Sequence, residues 1–262
     1  MTSAKSHQLD RILNNKTLGS SELLQRLNSY FISIQKNKAT MVKAIRLAKI
    51  KLKQFEAVNS YLKEISYEMK TGRSLSNFLS NQSSIQKEKI EIIFSKLYPD
   101  LRKISSVITL SRSGTVVEIL KLWHNRDKKI KVIVCESRPK LEGRLMAESL
   151  TRVGIKTTLI TDAMMNLYVP KVEAAIIGAD VVLNNGNIVN KVGSKSLAIL
   201  CKEYRNPFYV VTSKSKFTKK KIFISKKEDQ LEIWDKKLKN LSIHNVYFED
   251  IEKKLITKIF TD

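Results

Sequence analysis

Apolar positions recur at helical spacing through about the first 100 residues, then give way to short β-branched runs. This change of period is the main boundary signal in the chain. Ser20-Ser21-Glu22-Leu23-Leu24 has the form of a helix start, and Leu27, Tyr30, Phe31 and Ile34 continue its face. A second helix is expected from about Thr40 to Met69, along the stripe Met41, Ala44, Ile45, Ala48, Leu52, Phe55, Leu62, Ile65 and Met69. Thr71-Gly72-Arg73-Ser74 ends it. The serine- and asparagine-rich stretch Ser74 to Ser84 reads as a loop, and a third helix from about Ile85 to Leu97 is closed by Pro99. These stripes are expected to bury a helical core.

From Ile104 the pattern alternates. Val107 to Leu110, Lys131 to Cys135, Thr157 to Ile160, Ala174 to Ile177 and Phe208 to Val211 read as strands. Val116 to His124, Glu142 to Val153, Ala163 to Tyr168 and Ser194 to Tyr204 between them read as helices. Strand and helix in repetition imply parallel strands joined by right-handed crossovers. Both faces of such a sheet are covered, so its strands are continuous apolar runs, as here. The expected class is α/β, with a helical domain over 1–100 followed by a domain with a mostly parallel sheet over 101–262.

The composition narrows the function classes little. At 262 residues, 42% hydrophobic and 28% charged, the chain matches an ordinary globular protein. No apolar run approaches the roughly 20 residues that span a bilayer, and Met1 to Asp10 lacks the apolar core of a secretion signal. No membrane association and a cytoplasmic location are therefore expected. Cys135 and Cys201 sit in apolar stretches and read as buried free thiols. With His7, His124 and His244 scattered, no metal site or cofactor is expected. The net charge of +23 favours polyanions such as RNA, an acidic partner or phosphorylated small molecules. A plain lysine-rich surface, with Lys214 to Lys227 and Lys236 to Lys239 as solvated faces, accounts for it equally.

Ligands of open parallel sheets bind beyond the carboxyl ends of the strands, so the residues after each strand carry the candidate chemistry. Ser111-Arg112-Ser113-Gly114-Thr115 precedes a helix and suits a phosphate, or is an ordinary N-capped turn. Glu136-Ser137-Arg138-Pro139 places an arginine on the same edge, or an ion pair between Glu136 and Arg138 or a neighbour. The carboxylate in Gly178-Ala179-Asp180 is expected to be partly desolvated, which raises its pKa and suits proton transfer, or to order the loop Asn184-Asn185-Gly186-Asn187. Asn190 and Lys191 lead into a helix that Ser194 is expected to cap, and Lys216 lies after the last strong strand. Five polar loops carrying one acid and several cations fit a small phosphorylated ligand. They also fit a subunit interface on that edge.

The series Ile108-Thr109-Leu110-Ser111-Arg112-Ser113, Glu136-Ser137-Arg138-Pro139 with Gly143-Arg144, Gly178-Ala179-Asp180, Asn185-Gly186, Asn190-Lys191-Val192-Gly193 and Lys214-Ser215-Lys216-Phe217 resembles the motif series of the initiation factor 2B α/β/δ superfamily. Phe248-Glu249-Asp250 and Leu255 to Ile259 resemble its closing segment, a strand near the dimer interface. The resemblance covers about Ile104 to Asp262. Over the first ~100 residues only Leu18-Gly19-Ser20-Ser21-Glu22 resembles it.

The resemblance implies a Rossmann-like domain and assembly at least as a homodimer. It also implies one of two functions. One is a regulatory subunit that binds initiation factor 2; the other is an aldose–ketose isomerase acting on a sugar phosphate such as ribose 1,5-bisphosphate. The isomerases pair a catalytic cysteine after the first strand with the aspartate of Gly-Ala-Asp. Here those positions are Ser111 and Asp180. A serine hydroxyl is far less acidic than a thiol and needs a neighbouring base. The isomerases' arginine–glycine element that grips phosphate is matched by Leu18-Gly19, without the arginine. The expectation is therefore a binding or regulatory subunit without isomerase activity. It retains a sugar-phosphate or nucleotide cleft formed by Ser111, Arg112, Ser113, Arg138, Asn190, Lys191 and Lys216, with Asp180 catalytic only in an active enzyme.

Overall fold

A computed structural model of the chain describes residues 3–15, 19–53, 55–71, 74–236 and 238–262, with residues 3 and 4 as backbone alone. Leu18, and with it part of the arginine–glycine comparison, lies outside the described residues, as do Gly72 and Arg73 of the expected helix stop.

Among the described residues five helices precede the first strand. The first, α1 (Ser3–Leu13), was not expected from its polar sequence. It forms because Leu9, Ile12 and Leu13 share one side and bury it in the helical core. Helix α2 (Ser20–Ile34) follows its expected bounds and buries Leu23, Leu27, Tyr30, Phe31 and Ile34.

The single helix expected from Thr40 to Met69 is two, α3 (Lys38–Lys51) and α4 (Glu56–Thr71). Leu52 leaves the helical region at φ −111° and ψ 21°, and the Asn59 side chain donates to the Lys53 carbonyl at 2.9 Å. Leu52 and Phe55 stay buried through the turn. The apolar stripe therefore continues across a break that its spacing conceals.

The loop expected over Ser74 to Ser84 is helical. Helix α5 (Leu75–Leu101) starts at Ser74, whose hydroxyl accepts from Asn77 N–H at 3.3 Å. Leu75, Phe78 and Leu79 pack on the helical core while Ser76 and Asn77 between them are exposed. Pro99 does not close this helix but lies inside its last turn, where it has no N–H to give the Ser95 carbonyl and the helix ends soon after, at Leu101. Farther along, Ile93, Phe94, Leu97 and Leu101 of the same helix enter the core of the sheet. One helix thus belongs to both cores.

The rest is a three-layer α/β unit. Strands β1 (Ser106–Leu110), β2 (Lys131–Cys135), β3 (Lys156–Ile160) and β4 (Ala174–Ile177) alternate with α6 (Gly114–Arg126), α7 (Glu142–Thr151) and the short α8 (Met165–Tyr168). Two strands, β5 (Val181–Val182) and β6 (Ile188–Lys191), come before α9 (Ser194–Glu203), and β7 (Phe208–Val211), β8 (Phe248–Ile251) and β9 (Lys258–Phe260) complete the chain. The main sheet is parallel throughout, in the order β3-β2-β1-β4-β7-β9. Helices α5, α6 and α7 pack on one face around Trp123, and α8 and α9 cover the other. Each fully buried Leu or Ile there is worth about 1.5–3 kcal/mol.

A second, antiparallel sheet, β5-β6-β8, was not expected. Asn190 and Lys191, read as loop, belong to its central strand β6, all four residues of which are buried. A two-residue partner strand and a pairing with residues 248–251 leave no local signal in the sequence.

Candidate functional site at the strand ends

The order of the main sheet reverses direction between β1 and β4, and it is beyond the carboxyl ends at such a switch point that open α/β sheets bind their ligands. The loops after these strands meet there. A Cβ on Gly178 would lie 2.6 Å from Ser113 Oγ, so only glycine allows this approach. Ser113 caps α6 by accepting from Val116 N–H at 3.4 Å. The loops after β1 and β2 are joined as well, with Ser111 N–H donating to Ser137 Oγ at 2.7 Å.

Backbone strain concentrates at the same edge. Ser111, Ser137 and Leu141 have φ of 66°, 66° and 61°, in the left-handed region that costs a non-glycine residue about 1–3 kcal/mol. The conformation of the β2 loop is held by Asp162, which the sequence reading passed over. Its carboxylate accepts from Ser137 N–H at 2.9 Å and from Arg138 N–H at 2.7 Å. Gly143 closes the turn: a Cβ there would lie 1.8 Å from the Cys135 carbonyl oxygen.

The cations expected in the cleft are largely engaged within the protein. Arg112 bonds Glu22 of α2 and so reaches toward the N-terminal helices, with its Nε buried and without a partner. Lys191 is buried and bonds Glu142 Oε1 at 2.6 Å, 4.9 Å from the centre of the Tyr247 ring. Lys216 is buried and donates to the Ala179 carbonyl at 2.6 Å. Asn190 donates to Ser194 Oγ at 2.9 Å. Arg138 is exposed, and its guanidinium donates to the Ile233 carbonyl at 3.4 Å. The ion pair expected for Glu136 forms with Arg144, at 2.9 Å, and not with Arg138.

Ser194 does not cap α9. Glu249 does, accepting from the backbone N–H groups of Gly193 and Lys195 at 2.7 and 2.8 Å. That helix N-terminus already holds an anion of the chain's own.

Asp180 is the carboxylate at the switch point. Burial pushes its pKa up, while Lys216 and Lys191 pull in the opposite direction. Burial holds the Lys216 ammonium below its ordinary value, and Asp180 offsets part of that. Cys135, at the end of β2, lies in the apolar core, where burial first and Asp162 second push its thiol up to about 12. It is a protonated structural thiol. The reading of one acid among several cations is therefore corrected: Glu142, Asp162, Glu232 and Glu249 line or brace the same edge. Glu232 bonds Lys140 at 2.8 Å and also accepts from Tyr247.

Sequence reasoning missed Glu142 because an acid in the first turn of a helix reads as surface capping. It missed Tyr247 because the pairing of β8 with β6 is long-range. Two hollows of about 670 and 460 Å³ lie away from these strand ends, one beside His7, Arg11 and Arg26, the other beside Lys49, Lys63 and Lys220.

A parallel sheet with this switch point and these strand-end motifs defines a Rossmann-like protein. The model of the Initiation factor 2 subunit family matches residues 2–262, and the chain belongs to that family. It is 39% identical over 156 residues to a translation initiation factor eIF-2B subunit 2-like protein of Pyrococcus furiosus, covering 60% of this chain and 55% of that protein. It is 30% identical over 163 residues to ribose 1,5-bisphosphate isomerase of Archaeoglobus fulgidus, covering 60% and 52%. The chain thus spans about half the length of these curated relatives. The fold is similar to that of the translation initiation factor eIF-2B of Pyrococcus horikoshii OT3, with a TM-score of 0.79 at 23% identity over 100% of this chain and 96% of that one. Among the described residues no helix is long and apolar enough to cross a membrane.

Proposed function

We propose that this chain is an initiation-factor-2B-like binding subunit whose strand-end crevice holds a phosphorylated ligand without isomerising it. The observation that carries this reading is Ser111. It stands where the isomerases place a thiol, in a strained left-handed conformation, its backbone N–H held by Ser137. None of the three histidines falls in the strand-end segments, and Cys135 is a buried, protonated thiol. Deprotonating a serine needs a neighbouring base, and these segments offer no imidazole for it. In an assay with ribose 1,5-bisphosphate the wild-type chain is expected to give no turnover. Turnover that vanishes in Asp180→Asn would overturn the reading.

The retained Asp180, with its pKa raised by burial, favours a second reading as a sugar-phosphate isomerase. In that case Ser111→Cys restores the thiol and is expected to increase turnover; an inert variant disposes of it.

Assembly at least as a dimer, with initiation factor 2 as a further partner, belongs to the same proposal. Its support is the segment from Phe217 to Leu238, in which Phe217, Ile222, Ile224, Leu231, Trp234 and Leu238 are each exposed. Large apolar side chains left in solvent within one stretch of chain are the material from which interaction surfaces are made. Light scattering giving the mass of a single chain at micromolar concentration would remove the dimer.

A further inference from the structure

Between Leu23 and Phe55 the chain carries eight Lys or Arg and no Asp or Glu. Helix α3 takes up the middle of this stretch. Its apolar side, with Met41, Ala44, Ile45 and Ala48, is buried in the helical core. Lys43, Arg46 and Lys49 are exposed, and intervals of three residues set each beside the one before along the helix surface. The row ends at the hollow of about 460 Å³, which Lys49 lines together with Lys63 of α4 and Lys220. Thr218 N–H donates to the Val182 carbonyl at 3.0 Å and so ties the far wall of the hollow to β5. Among the described lining residues Glu56 is the one acid, and Lys220 holds it at 2.7 Å. Lys49 donates to the neutral Ser66 hydroxyl at 3.2 Å, and Lys63 meets no carboxylate among the described residues. The lysines beneath the strand ends are neutralised from within; these are not.

The surroundings select the class of polyanion. A helix that lies in a membrane needs a free apolar face, and that of α3 is already buried. Protein interfaces are poor in lysine and rest on aromatic anchors, whereas the large apolar side chains exposed on α3 are Val42 and Ile50. A phosphodiester backbone needs only cations repeated along a line and donors for its oxygens. The row passes from a convex helix into a concave hollow, a path open to a flexible strand and closed to a stiff duplex. We propose that α3 and the hollow beside Lys63 and Lys220 form a contact surface for the backbone of a single-stranded nucleic acid. The surface is separate from the strand-end site and independent of its reading.

The test measures fluorescence anisotropy of a labelled 20-nucleotide RNA of mixed sequence, titrated with the full chain over a series of potassium chloride concentrations. Five cations at about 0.7 each predict a slope of log affinity against log salt near −3.5. Lys43→Gln, Arg46→Gln and Lys49→Gln together are expected to weaken binding at least about tenfold at about 50 mM salt and to reduce the slope by about two. Glutamine keeps the helix propensity, so the fold is retained. Lys128→Gln, Lys129→Gln and Lys156→Gln remove the same charge from exposed sites at the amino ends of β2 and β3. That variant is expected to stay within about twofold of wild type. The single change Lys63→Glu inside the hollow is expected to weaken binding as well. DNA of the same sequence is expected to bind within about threefold of RNA, since neither base nor 2′-hydroxyl is read. Equal losses in the two triple variants would make this a property of net charge and overturn the surface. So would a wild type that leaves the RNA unbound at about 50 mM salt, or one that prefers vesicles containing phosphatidylserine at the same ionic strength.

Discussion

At the scale of single residues, the strand-end edge is built by close approaches and buried charges. Gly143→Ala pushes a methyl into the Cys135 carbonyl, so the turn after β2 has to open. We expect a loss of at least about 2–3 kcal/mol in denaturant unfolding, the upper range for overpacking; a loss below about 0.5 kcal/mol would mean the turn is not held in this way. Asp180 gives a pH signature. Its folded pKa is raised, so charging it opposes folding. That cost is absent below the ordinary carboxylate value of about 3.9 and grows as pH rises through the folded value. The stability of Asp180→Asn relative to wild type is expected to move in the variant's favour between pH 4 and pH 7 in paired denaturant curves. A constant difference across that interval refutes the burial of this carboxyl. The position of Asp180 was legible because an acid directly after an all-apolar strand sits at the end of a buried element. The engagement of Lys191, Lys216 and Arg112 was not. Long cationic side chains find their carboxylates across 49 residues for Lys191 and 90 for Arg112, and no local pattern encodes that distance.

At the scale of elements, the β-branched runs from Ile104 onward located the five long strands of the main sheet, because strands covered on both faces carry their burial in their own composition. The antiparallel sheet stayed hidden because β5 is two residues long and the partner of β6 arrives 57 residues after its end. The helical region shows the opposite error. Serine and asparagine have weak helix propensity, so Ser74 to Ser84 read as loop; a serine cap and three apolar contacts on the helical core prevail over that preference. Ser84→Pro tests this outcome. Ser84 is exposed, so nothing but the continuity of α5 is at stake. A proline inside a helix costs about 3 kcal/mol, and Ser84→Ala serves as the control with a slight gain. A proline variant as stable as wild type in urea unfolding would return the segment to a loop.

At the scale of the whole molecule, the charge of +23 is mostly a surface property. The two lysines deepest in the strand-end cluster are neutralised locally, and most other lysines face solvent. Several surface ion pairs join the two halves, including Lys220–Glu56 at 2.7 Å and Lys258–Asp100 at 3.7 Å, but exposed pairs contribute little. Forty-eight basic against 25 acidic side chains leave repulsion as the larger long-range effect. Salt shortens its reach, from a Debye length of about 30 Å at 0.01 M to about 3 Å at 1 M. The two contributions then predict opposite signs. If attraction between the halves dominated, sodium chloride would lower the thermal midpoint. If self-repulsion dominates, as the charge balance requires, the midpoint rises by a few degrees between about 0.02 and 0.5 M. Differential scanning calorimetry in chloride reads the sign, and repeating it in sulfate separates screening from specific anion binding. A midpoint that falls in chloride would mean the lysines are organised into stabilising pairs rather than spread as a repelling surface.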